Sequence, residues 1–157
     1  MTISFQHNEA LELNKIAYSG ELLVEEMFAH ARFRAAHAQW LNFDHINVVL
    51  PGTGVSTLTH AVLDDIFAKH QTLFETSKLL ILRRSAWVCE SPAALDLLHY
   101  WLGDRETKPR ASTDVRLFES MDAAFEWLML RPDEKALALQ GEGFNEVARF
   151  TAPPMAA

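Results

Sequence analysis

The fold is decided by Ile46-Asn47-Val48-Val49-Leu50-Pro51-Gly52-Thr53-Gly54-Val55-Ser56-Thr57-Leu58. A short apolar run stops at Pro51-Gly52, small and hydroxyl residues follow, and a helical pattern begins. This order is typical of a buried strand that leads through a loop into a helix, the repeating unit of α/β domains. The stretch therefore predicts a central strand at Ile46–Leu50. It also predicts a loop where backbone amides and hydroxyls converge on a ligand.

Strands and helices alternate on both sides of this unit. Residues 3–18 predict a hairpin, and a break in their apolar alternation indicates a bulge or a shift of face at Asn14-Lys15. An amphipathic helix begins at Glu21, and a second helix is predicted over 56–70. Residues 78–89 are rich in strand formers and predict one long strand or two shorter ones.

The second half of the chain carries clear start and stop signals for helices. Ser91 at the N-cap and Pro92 at the first helical position begin a helix, and Gly103 ends it. The remaining predicted elements are a strand at 115–118, a helix capped by Ser120 that runs through Leu130, a short helical turn after Pro132, and an apolar tail at 144–150.

The predicted order is ββαβαβαβα followed by a C-terminal helical extension. Such alternation indicates an α/β fold with a mainly parallel sheet, right-handed crossovers and an antiparallel hairpin at the sheet edge. We expect a single domain over residues 1–150, of which 130–150 are the extension, and a disordered tail at 151–157.

Composition excludes several classes of protein. Hydrophobic residues make up 49% and charged residues 22%, as in ordinary globular domains, and the net charge is −7 with scattered basic residues. A nucleic-acid binder needs a concentrated basic face, so no nucleic acid is expected. No apolar run reaches the roughly 18 residues of a membrane span, and the N-terminus lacks the pattern of a signal peptide. A cytoplasmic protein without membrane contact is expected.

Two local patterns resemble the SpoIIAA-like branch of the STAS superfamily, which covers anti-sigma-factor antagonists and cytoplasmic domains of sulfate transporters. One is Arg84-Ser85-Ala86-Trp87-Val88-Cys89-Glu90-Ser91, which leads into a helix. The more specific one is Asp114-Val115-Arg116-Leu117-Phe118-Glu119-Ser120-Met121-Asp122-Ala123-Ala124-Phe125-Glu126-Trp127-Leu128. The resemblance covers residues 11–130 and implies a SpoIIAA/STAS-like fold and a non-enzymatic regulatory or protein-interaction module.

In anti-sigma-factor antagonists, an Asp-Ser-Ser-Gly-like turn after the central strand carries a phosphorylatable Ser at a helix N-terminus. The matching region here is 50–57, where Ser56 and Thr57 are the nearest hydroxyls. The Asp of the turn is absent and the spacing differs. The sequence leaves open whether Ser56 or Thr57 is phosphorylated.

The predicted ligand- or partner-binding residues lie in the loop and in the next strand. Free amides at a helix N-terminus favour an anion, glycines allow close backbone approach, and arginines bind anions bidentately. The alternative is structural: Ser56 caps its helix, the glycines permit the turn, and one arginine pairs with a neighbouring acid. The residues are Gly52, Thr53, Gly54, Ser56, Thr57, Arg83 and Arg84.

No further catalytic or metal-binding site is predicted from the other reactive side chains. Asp44-His45 is expected to be a solvent-exposed pair at the edge of a strand, because adjacent side chains on an extended chain point apart. Cys89 is the single cysteine and is expected to be structural. The histidines lack metal-ligand spacing, so neither a metal nor another cofactor is expected. An enzyme would need Ser56, His45 or Cys89 in a shared cleft.

A partner surface is expected at the loop 52–58 and the adjacent helix face. Tyr100 and Trp101 are neighbours on one helix and cannot both face the sheet, which indicates an exposed apolar patch. Such a patch would suit a protein partner or a homodimer. The competing hypothesis is a domain that binds a small anion through the loop amides and Arg83 or Arg84.

Overall fold

The computed structural model describes residues 2–74, 83–103 and 113–151. A 3₁₀ segment at Ala38–Asn42, called the connector below, links the first helix to the third strand. In the described ranges the strands are β1 (Thr2–Asn8), β2 (Leu13–Ser19), β3 (Asp44–Val49), β4 (Arg83–Cys89), β5 (Thr113–Phe118) and β6 (Asn145–Phe150), and the α-helices are α1 (Val24–Ala36), α2 (His60–Phe74), α3 (Pro92–Leu102), α4 (Met121–Trp127) and α5 (Pro132–Leu139).

The strands form one six-stranded sheet in the order β5-β4-β3-β2-β1-β6. Strands β2 to β5 are parallel neighbours, and β1 pairs antiparallel with both β2 and β6. The predicted α/β class, the mainly parallel sheet and the N-terminal antiparallel hairpin are therefore confirmed. No helix in the described ranges is long and apolar enough to cross a membrane.

The C-terminal extension differs from the predicted helical appendage. Helix α5 follows Pro132, but the predicted tail then forms β6 and pairs along β1, with a register shift between Phe5 and Gln6. The hairpin is consequently inside the sheet rather than at its edge. The segment 145–150 carries few strand formers. It pairs with a strand more than 130 residues earlier, and local periodicity does not indicate such a pairing.

Each face of the sheet has its own apolar core. One face carries Ile16, Tyr18 and Val49 and is covered by α1, α2 and α3; we call it the three-helix face. The other carries Leu13 and Val48 and is covered by α4 and α5. Three successive right-handed crossovers in one direction place α1 to α3 on the same side.

Of the two alternatives predicted at Asn14-Lys15, the structure shows the shift of face and not the bulge. Strand β2 pairs in unbroken register with β1 and with β3. Leu13 packs on one face while Ile16 and Tyr18 pack on the other. A strand that is buried on both faces loses the simple apolar alternation of a half-exposed strand, so the apolar residues can change face within β2 without a bulge.

Helix and strand boundaries follow the local signals with three differences. The cap at Ser120 is confirmed, since its hydroxyl accepts from the Ala123 N–H at 3.1 Å, but α4 ends at Trp127. Helix α1 begins at Val24 and α2 at His60, three and four residues later than predicted. Residues 83–89 form one strand; the rest of the predicted segment 78–89, like 152–157, lies outside the described residues.

Candidate functional site

The loop between β3 and α2, residues 50–59, lies at the carboxyl edge of the parallel strands, where α/β proteins commonly bind ligands. Its outer side chains at Pro51, Ser56 and Thr57 are exposed. Thr59, rather than Ser56, caps α2, because its hydroxyl accepts from the Val62 N–H at 3.2 Å. The structural alternative for Ser56, a helix cap, is therefore wrong.

Backbone hydrogen bonds attach this loop to the segment that leaves β2. The Gly54 N–H donates to the Gly20 carbonyl at 2.9 Å, and the Leu22 N–H donates to the Gly54 carbonyl at 2.8 Å. The Thr57 hydroxyl donates to the Leu22 carbonyl at 3.0 Å. These bonds hold the loop in one conformation against the β2–α1 connection.

Thr53 is a structural residue in this arrangement. Its side chain is 1% exposed, and its hydroxyl lies 2.6 Å from the Leu50 carbonyl and 3.0 Å from the Tyr18 carbonyl. The Ser91 hydroxyl donates to the Thr53 carbonyl at 2.7 Å. Ser91 does occupy the N-cap position of α3, but its hydroxyl makes this bond instead of a capping bond. Thr53 thus joins the carboxyl ends of three adjacent strands.

The loop amides that were predicted to bind an anion already have an internal one. The carboxylate of Glu21 accepts from the Ser56 N–H at 2.7 Å, from the Ser56 hydroxyl and from the Thr57 N–H. These bonds, chiefly the one from the Ser56 side chain, lower the pKa of Glu21. A Cβ at Gly54 would overlap this carboxylate, so the Glu21 side chain can keep this position only beside a glycine. The sequence pattern indicated that these donors bind an anion, but it did not identify the Glu21 carboxylate as that anion.

Arg83 and Arg84 do not reach this loop. Both begin β4, whereas the loop follows the end of β3, and the strands are parallel. Arg83 and Cys89 are six positions apart along β4, a rise of about 20 Å. Arg84 instead donates to the Trp127 carbonyl at 3.0 Å and lies over the Trp127 ring. The predicted combination of loop amides with an arginine is not formed.

The candidate catalytic residues are also apart. His45 lies near the amino end of β3, and Ser56 and Cys89 lie beyond or at the carboxyl ends of β3 and β4. The Cys89 thiol donates to the Ser91 carbonyl at 3.2 Å. No group of three or more histidine, cysteine or acidic side chains in the described ranges is placed to hold a metal ion.

A small apolar cavity of about 50 Å³ lies beneath the loop on the three-helix face. Tyr18 and Trp87 stack at its wall with ring centroids 5.5 Å apart. The other wall is formed by α1, the end of the loop, α2 and α3, through Met27, Leu58, Leu63 and Trp101 among others. Local patterns did not indicate the cavity, since its lining comes from three strands, three helices and the segments that connect them.

The expected aromatic patch at Tyr100 and Trp101 is not on an open surface. Tyr100 donates to the Asp64 carboxylate and stacks on His60 at 3.8 Å, while Trp101 contacts the rings of Phe67 and His70. Both side chains are half-buried between α2 and α3. Among the residues that the structure describes, the most exposed large apolar side chain is Met129, at 73%.

The pair Asp44-His45 is not a solvent-exposed edge pair. Both residues belong to β3; His45 is 8% exposed, and the Asp44 carboxylate accepts from the Arg84 N–H at 2.8 Å. His45 belongs to a row of buried and half-buried polar side chains that local spacing did not predict. The signal that was present is the recurrence of polar residues in otherwise apolar strands, at His7, Asn14, His45 and Ser85.

No protein-family model, no curated protein and no solved structure matches the chain.

Proposed function

We propose that this protein is a non-enzymatic regulatory or protein-interaction module of the SpoIIAA-like type. Its partner surface is the outer side of the loop at 50–59 together with the first turn of α2. The observation that carries this proposal is a loop whose backbone is fixed by hydrogen bonds to the β2–α1 connection, while its outer side chains are exposed. The resemblance of residues 11–130 to the SpoIIAA-like branch supports the same class of function.

A loop fixed in this way suits protein recognition, because ordering a mobile segment is one of the costs of association. Thr53 and Gly54 are anchored by hydrogen bonds to Tyr18 and Gly20. The exposed outer residues are Pro51, Gly52, Ser56, Thr57, Thr59, His60 and Ala61. They present small polar groups and little bulk, so a partner can approach the backbone closely.

The separation of the reactive side chains supports a binding role over a catalytic one. A nucleophile and its general base need hydrogen-bond contact, about 3 Å, in a productive site. Ser56 instead donates to the Glu21 carboxylate, and Cys89 to the Ser91 carbonyl. His45 lies near the amino end of β3, at the other end of the parallel strands from Ser56 and Cys89.

The alternative, a small-anion-binding domain that uses the same loop, requires Glu21 to leave. An incoming anion would compete with a carboxylate that is linked to the chain and already accepts from Ser56 and Thr57. The internal carboxylate has the advantage of high effective concentration. Protein contact with the outer side of the loop needs no such displacement.

The test uses two exposed alanines, each on a helix. A binding protein is captured from an extract of the source cells on the immobilised chain and purified, and its affinity is measured by calorimetry. Ala61→Lys, beside the loop, should weaken binding at least tenfold, whereas Ala136→Lys on α5 should leave the affinity unchanged. Equal affinity for both variants, or no captured protein, would contradict the proposal.

A further inference from the structure

A row of polar side chains crosses the three-helix face at the amino edge of the parallel strands. His7, Asn14, His45 and Ser85 are cross-strand neighbours in register on β1 to β4. Asn14 is fully buried and His45 is 8% exposed. Buried polar groups are costly unless each finds a partner of the right kind, so their hydrogen bonds are informative about protonation.

The orientation of the Asn14 amide is determined by its neighbours. Its nitrogen lies 2.7 Å from the Trp40 carbonyl oxygen, which can only accept. Its oxygen lies 2.8 Å from Nδ1 of His7. The same nitrogen is 3.3 Å from Nε2 of His45. Because this amide group donates, Nε2 of His45 must accept, and the hydrogen bond exists only while that nitrogen carries no proton.

The surroundings of His45 oppose a positive charge on the ring. Burial lowers the pKa of His45 to about 3, with further lowering by Arg34 and Arg83, while the Phe43 carbonyl acts in the opposite direction. Asp44, the adjacent carboxylate, acts on Arg83 and accepts from the Arg84 N–H. The titratable or charged groups around the row are thus His7 on β1, Tyr18 on β2, His30 and Arg34 on α1, Asp44 on β3, His70 on α2 and Arg83 on β4.

His30 on α1 is under the same constraint. It is 5% exposed and lies against the rings of Phe5 and Phe150. Burial, followed by Arg34, His70 and His45, lowers the pKa of His30 well below its ordinary value. The interior between α1, α2 and the sheet therefore holds neutral histidines beside two guanidinium groups.

We propose that His45 is a proton-sensitive latch, which holds the connector against the sheet at neutral pH and releases it on acidification. When Nε2 takes a proton from solvent, its N–H faces the N–H of Asn14, and a cation is added near Arg34 and Arg83. The Asn14 amide can no longer serve both His45 and Trp40. Release of the connector exposes Trp40 and Phe43, whose rings pack on His7 in the closed state.

The latch is tested by hydrogen exchange of the backbone amides at 38–43, corrected for the intrinsic pH dependence of exchange. The equilibrium constant for opening should rise about tenfold per pH unit as pH falls below 6.5, hence about 100-fold from pH 6 to pH 4. His45→Gln keeps an acceptor at this position without a titrating ring and should flatten the dependence. His99→Gln, at an exposed histidine on α3, should follow the wild type.

If the His45→Gln variant does not fold, nitrogen NMR of the histidine rings in the wild-type protein is used in place of the variant. Nε2 of His45 should carry no proton at pH 7, and its protonation should coincide with opening of the connector. A protonated Nε2 at pH 7, or an equal pH dependence in the wild type and His45→Gln, would overturn the latch. The readout needs no partner, so its outcome is separate from that of the proposed binding function.

Discussion

The polar groups at the two ends of the same parallel strands find their hydrogen-bond partners in different ways. At the carboxyl edge, the donors of the 50–59 loop are satisfied by the carbonyls of Tyr18 and Gly20 and by the Glu21 carboxylate. At the amino edge, Asn14 and His45 depend on one uncharged network, with two arginines nearby. We infer that the carboxyl edge keeps its shape over a wide pH range, whereas the amino edge does so only while its histidines are neutral.

The largest effect is expected from Asn14→Leu, which removes the shared amide at the amino edge. The Trp40 carbonyl, His7 and His45 each lose a partner, so the free energy of unfolding should fall by about 3 kcal/mol. Urea denaturation at pH 7 measures it. Asn42→Leu, at an exposed asparagine in the connector, should change stability by less than about 0.5 kcal/mol. Similar losses in both variants would show that the network contributes nothing of its own.

Acidification should be the next largest effect. The folded state keeps His45 neutral, with a pKa of about 3, whereas the unfolded chain binds the proton near pH 6.5. This contribution to stability is therefore complete above pH 6.5 and is lost as pH falls towards 3. At pH 5 the loss through His45 should be about 2 kcal/mol relative to pH 7, with His30 acting in the same direction.

Denaturation curves at pH 7, 6 and 5 measure this dependence. His45→Gln should have a clearly smaller slope of stability against pH than the wild type. Glu21, whose pKa is lowered, weakens the carboxyl edge only at more acidic pH, below its ordinary value of 4.5. A wild-type protein that is equally stable at pH 7 and pH 5 would remove the contrast between the two edges.

A smaller effect is expected at the carboxyl edge from Thr53→Val, which keeps the shape and removes the hydroxyl. The carbonyls of Leu50 and Tyr18 lose a donor, at a cost of about 1–2 kcal/mol. This loss should not depend on pH between 5 and 7. Thr72→Val, at an exposed threonine of α2, is the matched control and should be nearly neutral. A pH-dependent loss in Thr53→Val would mean that the two edges are coupled.

The smallest effect is expected from replacing two glycines of the same loop, which should differ in their influence on the pKa of Glu21. Gly54→Ala should displace the Glu21 carboxylate, so the pKa of Glu21 should rise towards its ordinary value, as measured by carbon NMR of the carboxyl group. Gly52 has φ near 78° and open space around it, so Gly52→Ala strains the backbone but should leave Glu21 in place. An unchanged Glu21 pKa in Gly54→Ala would refute the role assigned to this carboxylate.

Local sequence patterns were sufficient for most of the fold. The apolar run before Pro51-Gly52 placed β3, and Ser91-Pro92 and Ser120 placed the starts of α3 and α4. These signals act within a few residues, through strand burial, proline geometry and capping. Strand β6 was not predicted from these signals, because it is defined by its pairing with β1, and local periodicity does not report that pairing.

The contacts of the candidate site depend on residues that are distant in sequence. The loop amides were expected to bind an outside anion, whereas the Ser56 N–H donates to the carboxylate of Glu21, 35 residues earlier. Arg83 was expected to join the loop, but the direction of β4 places it at the other edge. His45 was expected in solvent, whereas coverage of the three-helix face buries it.

The sequence by itself determined where β3 and the starts of α3 and α4 lie, because those depend on backbone preferences and burial over short distances. Only the tertiary structure decided which polar groups meet: Glu21 with Ser56, Thr53 with Tyr18, and Asn14 with Trp40 and His45. Each of these partners is brought together by a crossover between strands. A single hydrogen bond of this kind leaves no periodic pattern in the chain, although it decides whether a loop is occupied and whether a histidine can accept a proton.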